Sequence, residues 1–259
     1  EKDGDLGIFG VGVRAAFNTS DIEIALWSCP GAFPRSRAVK VLQSALDATG
    51  IVRVLGKLGS ERSVSGVEVL HGRGNWEEKL GNCTYAVSAP GFFQVNTFGA
   101  QVLISVVKEF LGDVSKARIA DLYAGCGTFG IALAKDNADV VAVESFGPSV
   151  RDLRRNAQKN NVDMDIVGGD AARELASLGK LDAVVFDPPR AGLAANVAED
   201  IAKASPKSVV YVSCDPQTLA RDIERFSRAG YRVEAVQPVD MFPQTYHVET
   251  VVLMSRVEV

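Results

Sequence analysis

Apolar positions along this chain follow one rhythm up to about residue 87 and another from residue 88 to the end. In the first stretch, Ile22-Glu23-Ile24-Ala25-Leu26-Trp27 alternates as a half-buried strand does, and Arg37 to Thr49 fits a helix. Val52 to Leu55 and Val67 to Gly72 read as further strands, with turns at Gly59-Ser60 and Gly72-Arg73-Gly74. These elements predict a small α+β domain over residues 1–87. Beyond it the apolar runs become continuous: Ile119 to Tyr123, Asp139 to Val143, Leu181 to Phe186 and Ser208 to Val212. Runs of that kind, separated by amphipathic segments, suit parallel strands covered on both faces. Val102, Leu103, Val106, Val107, Phe110 and Leu111 recur at helical spacing and predict a packing helix ahead of the first run. Residues 88–259 therefore read as a doubly wound, Rossmann-like α/β domain, ending in an antiparallel strand pair that contains Val251 to Met254.

Candidate chemistry sits where these strands end. After the first run comes Gly125-Cys126-Gly127-Thr128-Phe129-Gly130, which fits G-x-G-x-x-G and leads into a helix expected from Phe129 to Asp136. Such a loop lets the backbone turn tightly and approach a ligand at a helix amino end. Glu144 closes the next strand, where a carboxylate can accept from both ribose hydroxyls of a nucleoside. The loop alone leaves a dinucleotide and S-adenosylmethionine both open.

Ser213-Cys214-Asp215-Pro216 ends the last parallel run. Asp215 is a good helix N-cap and Pro216 suits the first helical position. A thiol beside the positive end of that helix is expected to have a lowered pKa and thiolate character, whereas an inert core cysteine is the alternative. Asp187-Pro188-Pro189-Arg190 places a carboxylate at the mouth of the cofactor cleft. Amino-group methyltransferases usually follow such a turn with an aromatic residue, and Arg190 here disfavours methylation of an exocyclic amine. In His247-Val248-Glu249-Thr250, a carboxylate brought opposite a cysteine is what carbon methylation of a pyrimidine needs. His247 lies two residues from Glu249, on the same side if both are in a strand, and reads as a positioning or packing residue. Cys126 reads as structural, Ser213 and Thr218 as capping hydroxyls.

Taken together, Phe92-Phe93-Gln94-Val95-Asn96, Asp121 to Gly130, Glu144, Asp187 to Gly192, Ser213 to Asp222 and Met241 to Thr250 resemble the S-adenosylmethionine-dependent RNA uracil-5-methyltransferase family. The resemblance runs from about residue 88 to the end and is weaker from about 20 to 87. It implies a class I methyltransferase fold and formation of 5-methyluridine in transfer or ribosomal RNA. It assigns Cys214 as the nucleophile that attacks uracil C6 and Glu249 as the base that removes the C5 proton. Gln94, Tyr123, Gly125, Gly127, Thr128, Glu144, Asp170 and Asp187 would contact S-adenosylmethionine, although helix capping explains Asp170 equally well.

Composition restricts the alternatives. Four cysteines (Cys29, Cys83, Cys126, Cys214) show no C-x-x-C spacing, so neither a metal site nor a disulfide framework is expected. No apolar stretch is long enough to span a bilayer and no signal peptide opens the chain, which suits a cytoplasmic protein without a membrane partner. The chain does not start with Met, which points to a fragment or processed form. Its 28 basic and 32 acidic residues give a net charge of −4, unusual for an RNA binder. Clusters such as Arg151, Arg154, Arg155 and Lys159 read most simply as solvated helix faces. Many relatives carry an extra RNA-binding β-barrel, and none is visible here. The alternatives are an RNA-binding relative without catalysis and an NAD-dependent oxidoreductase; the latter leaves Cys214, Arg190 and Glu249 unexplained. Oligomeric state and target nucleotide are not legible in the sequence.

Overall fold

The computed structural model describes residues 7–57, 59 and 64–257, so Ser60 of the expected Gly59-Ser60 turn lies outside the described residues. Two compact units part between Phe92 and Phe93. In the first, strands β1 (Ile8–Ala15), β2 (Ile22–Ser28), β3 (Gly50–Leu55) and β4 (Gly66–Gly72) form a sheet in that order. β2 and β3 are parallel and joined through helix α1 (Arg35–Ala45), while β1 and β4 pair antiparallel at the edges. A hairpin of β5 (Trp76–Leu80) and β6 (Cys83–Val87) completes the unit.

Two sequence expectations shift here. β2 is not half-buried: Ile24 and Leu26 pack into one apolar cluster and Ala25 into another, and Glu23 just before them is buried as well. Alternation was read from Glu23, but tertiary packing covers both faces. α1 also stops at Ala45, short of Thr49. The Thr49 hydroxyl accepts from Ile22 N at 2.9 Å and donates to Ile22 O at 3.0 Å, which fastens the chain to β2 instead of continuing the helix.

The second unit begins with α2 (Thr97–Leu111), whose Leu103, Val106 and Val107 are buried as the helical stripe predicts. Asn96 caps it by accepting from Gly99 N. There follow β7 (Arg118–Leu122), α3 (Gly130–Ala134), β8 (Asp139–Glu144), α4 (Gly147–Lys159), β9 (Asp165–Gly168), α5 (Ala171–Glu174), β10 (Ala183–Phe186), α6 (Val197–Ala204), β11 (Ser208–Ser213), α7 (Pro216–Arg228), β12 (Tyr231–Val239) and β13 (Glu249–Arg256). The sheet order is β12-β13-β11-β10-β7-β8-β9, parallel from β11 to β9, with β13 antiparallel to β11 and β12. Alternate strand residues feed two cores. Ala120, Leu122, Phe186 and Tyr211 face one side with Phe226 of α7, and Ile119, Val185 and Val210 face the other with Leu103 of α2.

This topology fixes where a ligand can sit. The chain proceeds from β7 to β8 and β9, then returns to place β10 on the other side of β7. The connections therefore splay apart at the carboxyl ends of β7 and β10 and leave a crevice there. Because β13 runs opposite to β11, its first residue lies at that same edge.

A buried carboxylate holds one wall of the crevice. Asp222 of α7, wholly buried, accepts from Leu193 N at 2.8 Å and Tyr211 Oη at 3.0 Å, and pairs with Arg225 at 2.9 Å and Arg221 at 3.0 Å. These bonds pin the segment after β10 to α7 and β11. Asp222→Ala is expected to cost about 1–3 kcal/mol, because it leaves the buried Leu193 amide and Tyr211 hydroxyl without their acceptor. Urea unfolding checks this; a loss below about 1 kcal/mol would show that the network is dispensable.

Candidate active site

One sheet edge collects the predicted residues in spatial order. Asp170 follows β9, Glu144 ends β8, the glycine loop follows β7, Asp187 follows β10, Cys214 follows β11, and Glu249 begins β13. Neighbouring strands are about 4.8 Å apart, so roughly 10 Å separates the loop from Cys214 in the sheet direction.

The loop is a tight backbone turn. Tyr123 (φ +59°), Gly125 (φ +57°) and Gly127 (φ +98°) all adopt left-handed conformations. A Cβ on Gly127 would lie 2.6 Å from both Ile131 Cδ1 and Leu153 Cδ1, so only glycine fits there. At Gly125 the space beyond the backbone is open. Glu144 accepts from Gly125 N at 2.8 Å and Phe146 N at 2.6 Å, which fixes both its carboxylate and the loop. Thr128 is buried behind the turn, and Asn156 donates to the Cys126 carbonyl at 3.0 Å. Asp170 caps α5 by accepting from Ala172 N and Arg173 N.

Three carboxyl groups lie under this edge with raised pKa values. Asp121, within β7, is 1% exposed. Burial pushes it to about 7, with nearby Glu144 adding to the effect and a hydrogen bond from Gly130 N opposing it. Asp187 is pushed well above the carboxylate range by burial, then by Glu249 and Asp121, while Gln94 opposes by donating to Oδ2 at 3.2 Å. Glu249, 5% exposed, reaches about 7 through burial, with Arg190 acting the other way. Asp121 Oδ1 and Glu249 Oε2 are buried without a hydrogen-bond partner. Sequence analysis did not single out Asp121; the available signal was a lone carboxylate inside an apolar strand.

Cys214 and Glu249 are brought together by strand register. Ser213 pairs with Thr250, and one step further along the same antiparallel register Cys214 falls opposite Glu249. As expected, Asp215 caps α7, accepting from Gln217 N at 2.9 Å and Thr218 N at 3.0 Å. The expected lowering of the thiol pKa is not what the structure gives. Burial pushes the Cys214 thiol up, and the Glu249 and Asp187 charges push it further. A hydrogen bond and the positive charge of Arg190 oppose this shift. Partial burial, and after it two carboxyl groups that follow or begin other strands, act against the local helix end. Ser213 and Thr218 hydroxyls bond to backbone carbonyls, as capping groups do.

Arg190 is the cation of this cluster. Its Nη2 donates to His247 Nδ1 at 2.7 Å, with Nε2 of the same ring at 3.2 Å. His247 precedes β13 instead of lying in it, so its placement comes from Arg190 and from ring contacts with Phe242 (6.0 Å) and Tyr246 (4.2 Å). Arg190, Cys214, Gln217, Tyr246 and His247 line an open cleft of about 310 Å³. Among the described residues, no group of three or more His, Cys, Asp or Glu is placed to hold a metal ion, and no helix is long and apolar enough to cross a membrane.

A mostly parallel sheet with this strand order, a glycine turn after β7 and carboxylates along the edge have the Rossmann-like fold of class I methyltransferases. M. jannaschii TYW2, solved in complex with AdoMet, shares the fold at a TM-score of 0.54 and 17% identity over 74% of this chain and 92% of that one. The chain belongs to the tRNA (uracil-5-)-methyltransferase family, whose model matches residues 37–257. The solved Pyrococcus abyssi tRNA (uracil-54, C5)-methyltransferase, in complex with S-adenosyl-L-homocysteine, superposes with a TM-score of 0.79 at 30% identity, covering 94% of this chain and 59% of that one. Among sequence relatives, an uncharacterized RNA methyltransferase of Clostridium tetani is 36% identical over 252 residues, 94% of this chain and 55% of the relative. Another, from Caldanaerobacter subterraneus, is 41% identical over 192 residues, 73% of this chain and 43% of the relative. The chain thus spans about half the length of these relatives.

Proposed function

We propose that this chain transfers a methyl group from S-adenosylmethionine to C5 of a uridine in RNA through a covalent bond between Cys214 and C6. The observation that carries this reading is the register that sets a thiol opposite a buried carboxyl group whose Oε2 has no hydrogen-bond partner, with Arg190 acting on both.

The residues fit the cofactor. S-adenosylmethionine, when bound, supplies an electrophilic methyl group on a cationic sulfonium. Buried carboxyls with unused oxygens suit such a cation, and no cationic side chain is among the groups acting on Asp121 or Asp187. Tyr123, Gly125, Gly127 and Thr128 would form its cradle, Glu144 and Asp170 would take the nucleoside, and Gln94 and Asp187 would close the side toward the base.

The remaining work falls to side chains of this unit. Uracil C5 is a weak nucleophile, and addition of the Cys214 thiolate to C6 moves an electron pair through the ring to C5 and O4. Once C5 carries the methyl group, its proton must leave. Glu249 takes that proton, and the returning electron pair expels the Cys214 sulfur. Arg190 favours the ionised forms of both Cys214 and Glu249.

The test is methyl transfer from labelled S-adenosylmethionine to unmodified transfer and ribosomal RNA, followed by nucleoside analysis. Label in 5-methyluridine supports the proposal, and label in any other nucleoside refutes it. Cofactor binding should also depend on pH. Asp121 and Glu249 titrate near 7, so a bound cation shifts them toward the ionised form and releases protons. Affinity should therefore rise several-fold between pH 6 and pH 8. Calorimetry in buffers of different ionisation enthalpy measures the released protons; none released would sink this account.

A further inference from the structure

Tyr246 is 90% exposed, yet it belongs to a well-fastened turn. Thr245 N bonds to Phe242 O at 3.1 Å, the Thr245 hydroxyl donates to the same carbonyl at 2.8 Å, and His247 N donates back to that hydroxyl at 3.2 Å. Gln244 takes φ +68°, a left-handed conformation that strains a non-glycine residue. The ring rests on His247 with centroids 4.2 Å apart, and His247 is in turn held by Arg190 at 2.7 Å. Folding alone gives no reason to hold a large aromatic ring in water on a strained, fastened turn, and its place is on the lining of the cleft that contains Cys214.

We infer that Tyr246 and His247 form a nucleobase-binding subsite, on which an unpaired base next to the target uridine stacks. This rests on the uridine-methylation reading. An exposed phenol ring on a rigid support offers a flat apolar face, and every base has a face to lay against it. A target base that leaves its stack to reach Cys214 exposes its neighbour, and the Tyr246 ring replaces the lost stacking. Recognition by stacking needs no charge, which suits a chain whose net charge is −4. A purine, with its larger face, should be preferred there.

The experiment measures binding by fluorescence anisotropy of the whole chain and its Tyr246→Ala, Tyr246→Phe and Tyr246→Trp variants. The probes are labelled RNA hairpins whose loop uridine is flanked on either side by adenine or by an abasic residue. Tyr246→Ala should weaken binding of the adenine hairpin about tenfold, while Tyr246→Phe and Tyr246→Trp stay within about twofold of the original. On one flank, the abasic residue should cost the original chain about the same factor and cost Tyr246→Ala nothing further. The methylation defect of Tyr246→Ala should be larger at limiting than at saturating RNA, so that KM carries more of it than kcat. An equal abasic penalty in both chains, or unchanged binding by Tyr246→Ala, would overturn the subsite. Tyr246-dependent binding without 5-methyluridine formation by the original chain would uphold the subsite and refute the methylation reading. No binding of any hairpin by the original chain would overturn the subsite whatever nucleoside the enzyme makes.

Discussion

Cys214→Ala should abolish methyl transfer to RNA, a loss on the order of 10⁴-fold or more, while cofactor affinity stays within about threefold. The asymmetry follows from position. Cys214 lies two strands from the glycine loop, on the far side of Asp187, so removing its sulfur leaves the proposed cradle intact. Without the thiolate no electron pair reaches C5, and no other residue lining the cleft carries a thiol or an aliphatic hydroxyl. The variant should also form no RNA adduct that survives denaturing electrophoresis. Residual turnover within tenfold of the original would mean that the reaction is not covalent at this sulfur.

Glu249→Gln should give the opposite picture, with the adduct formed and not released. Glutamine keeps the shape of the side chain but cannot take the C5 proton, so turnover should fall by roughly 10³-fold while labelled RNA stays attached to the protein. Acidity should mimic the substitution in the original enzyme. Glu249 must be ionised to act, and with its pKa near 7 the rate should fall about tenfold per unit as pH drops below that value. The raised Cys214 pKa acts in the same sense, because both groups must lose a proton. Stability changes in the opposite direction. A carboxyl raised from 4.5 to about 7 on folding stabilises the fold fully below pH 4.5 and ceases to do so as pH rises through 7. Glu249→Gln should therefore be more stable than the original chain at pH 8, by up to about 3 kcal/mol. A variant that is inactive, more stable and loaded with RNA could not be explained by misfolding. A stable variant that turns over normally would remove Glu249 from the base role.

The sequence by itself determined the central strands of the second unit, the glycine turn and the residues placed along the edge. Continuous apolar runs allow few structures other than buried parallel strands, and Asp215-Pro216 dictates a helix start whatever lies around it. Glu144, Asp187 and Cys214 were legible because each closes such a run, and all parallel strands end at the same edge. Only the tertiary structure decided the electrical state of that edge. Seen from its own helix, Cys214 should have been acidified, but loss of water, and after it the carboxyl groups of Glu249 and Asp187, raise its pKa instead. The raised pKa of Asp121, the Arg190–His247 contact and the burial of both faces of β2 were equally hidden. Each depends on partners far away along the chain, and charge interactions in a dry interior depend on distance in space, which local sequence patterns do not carry.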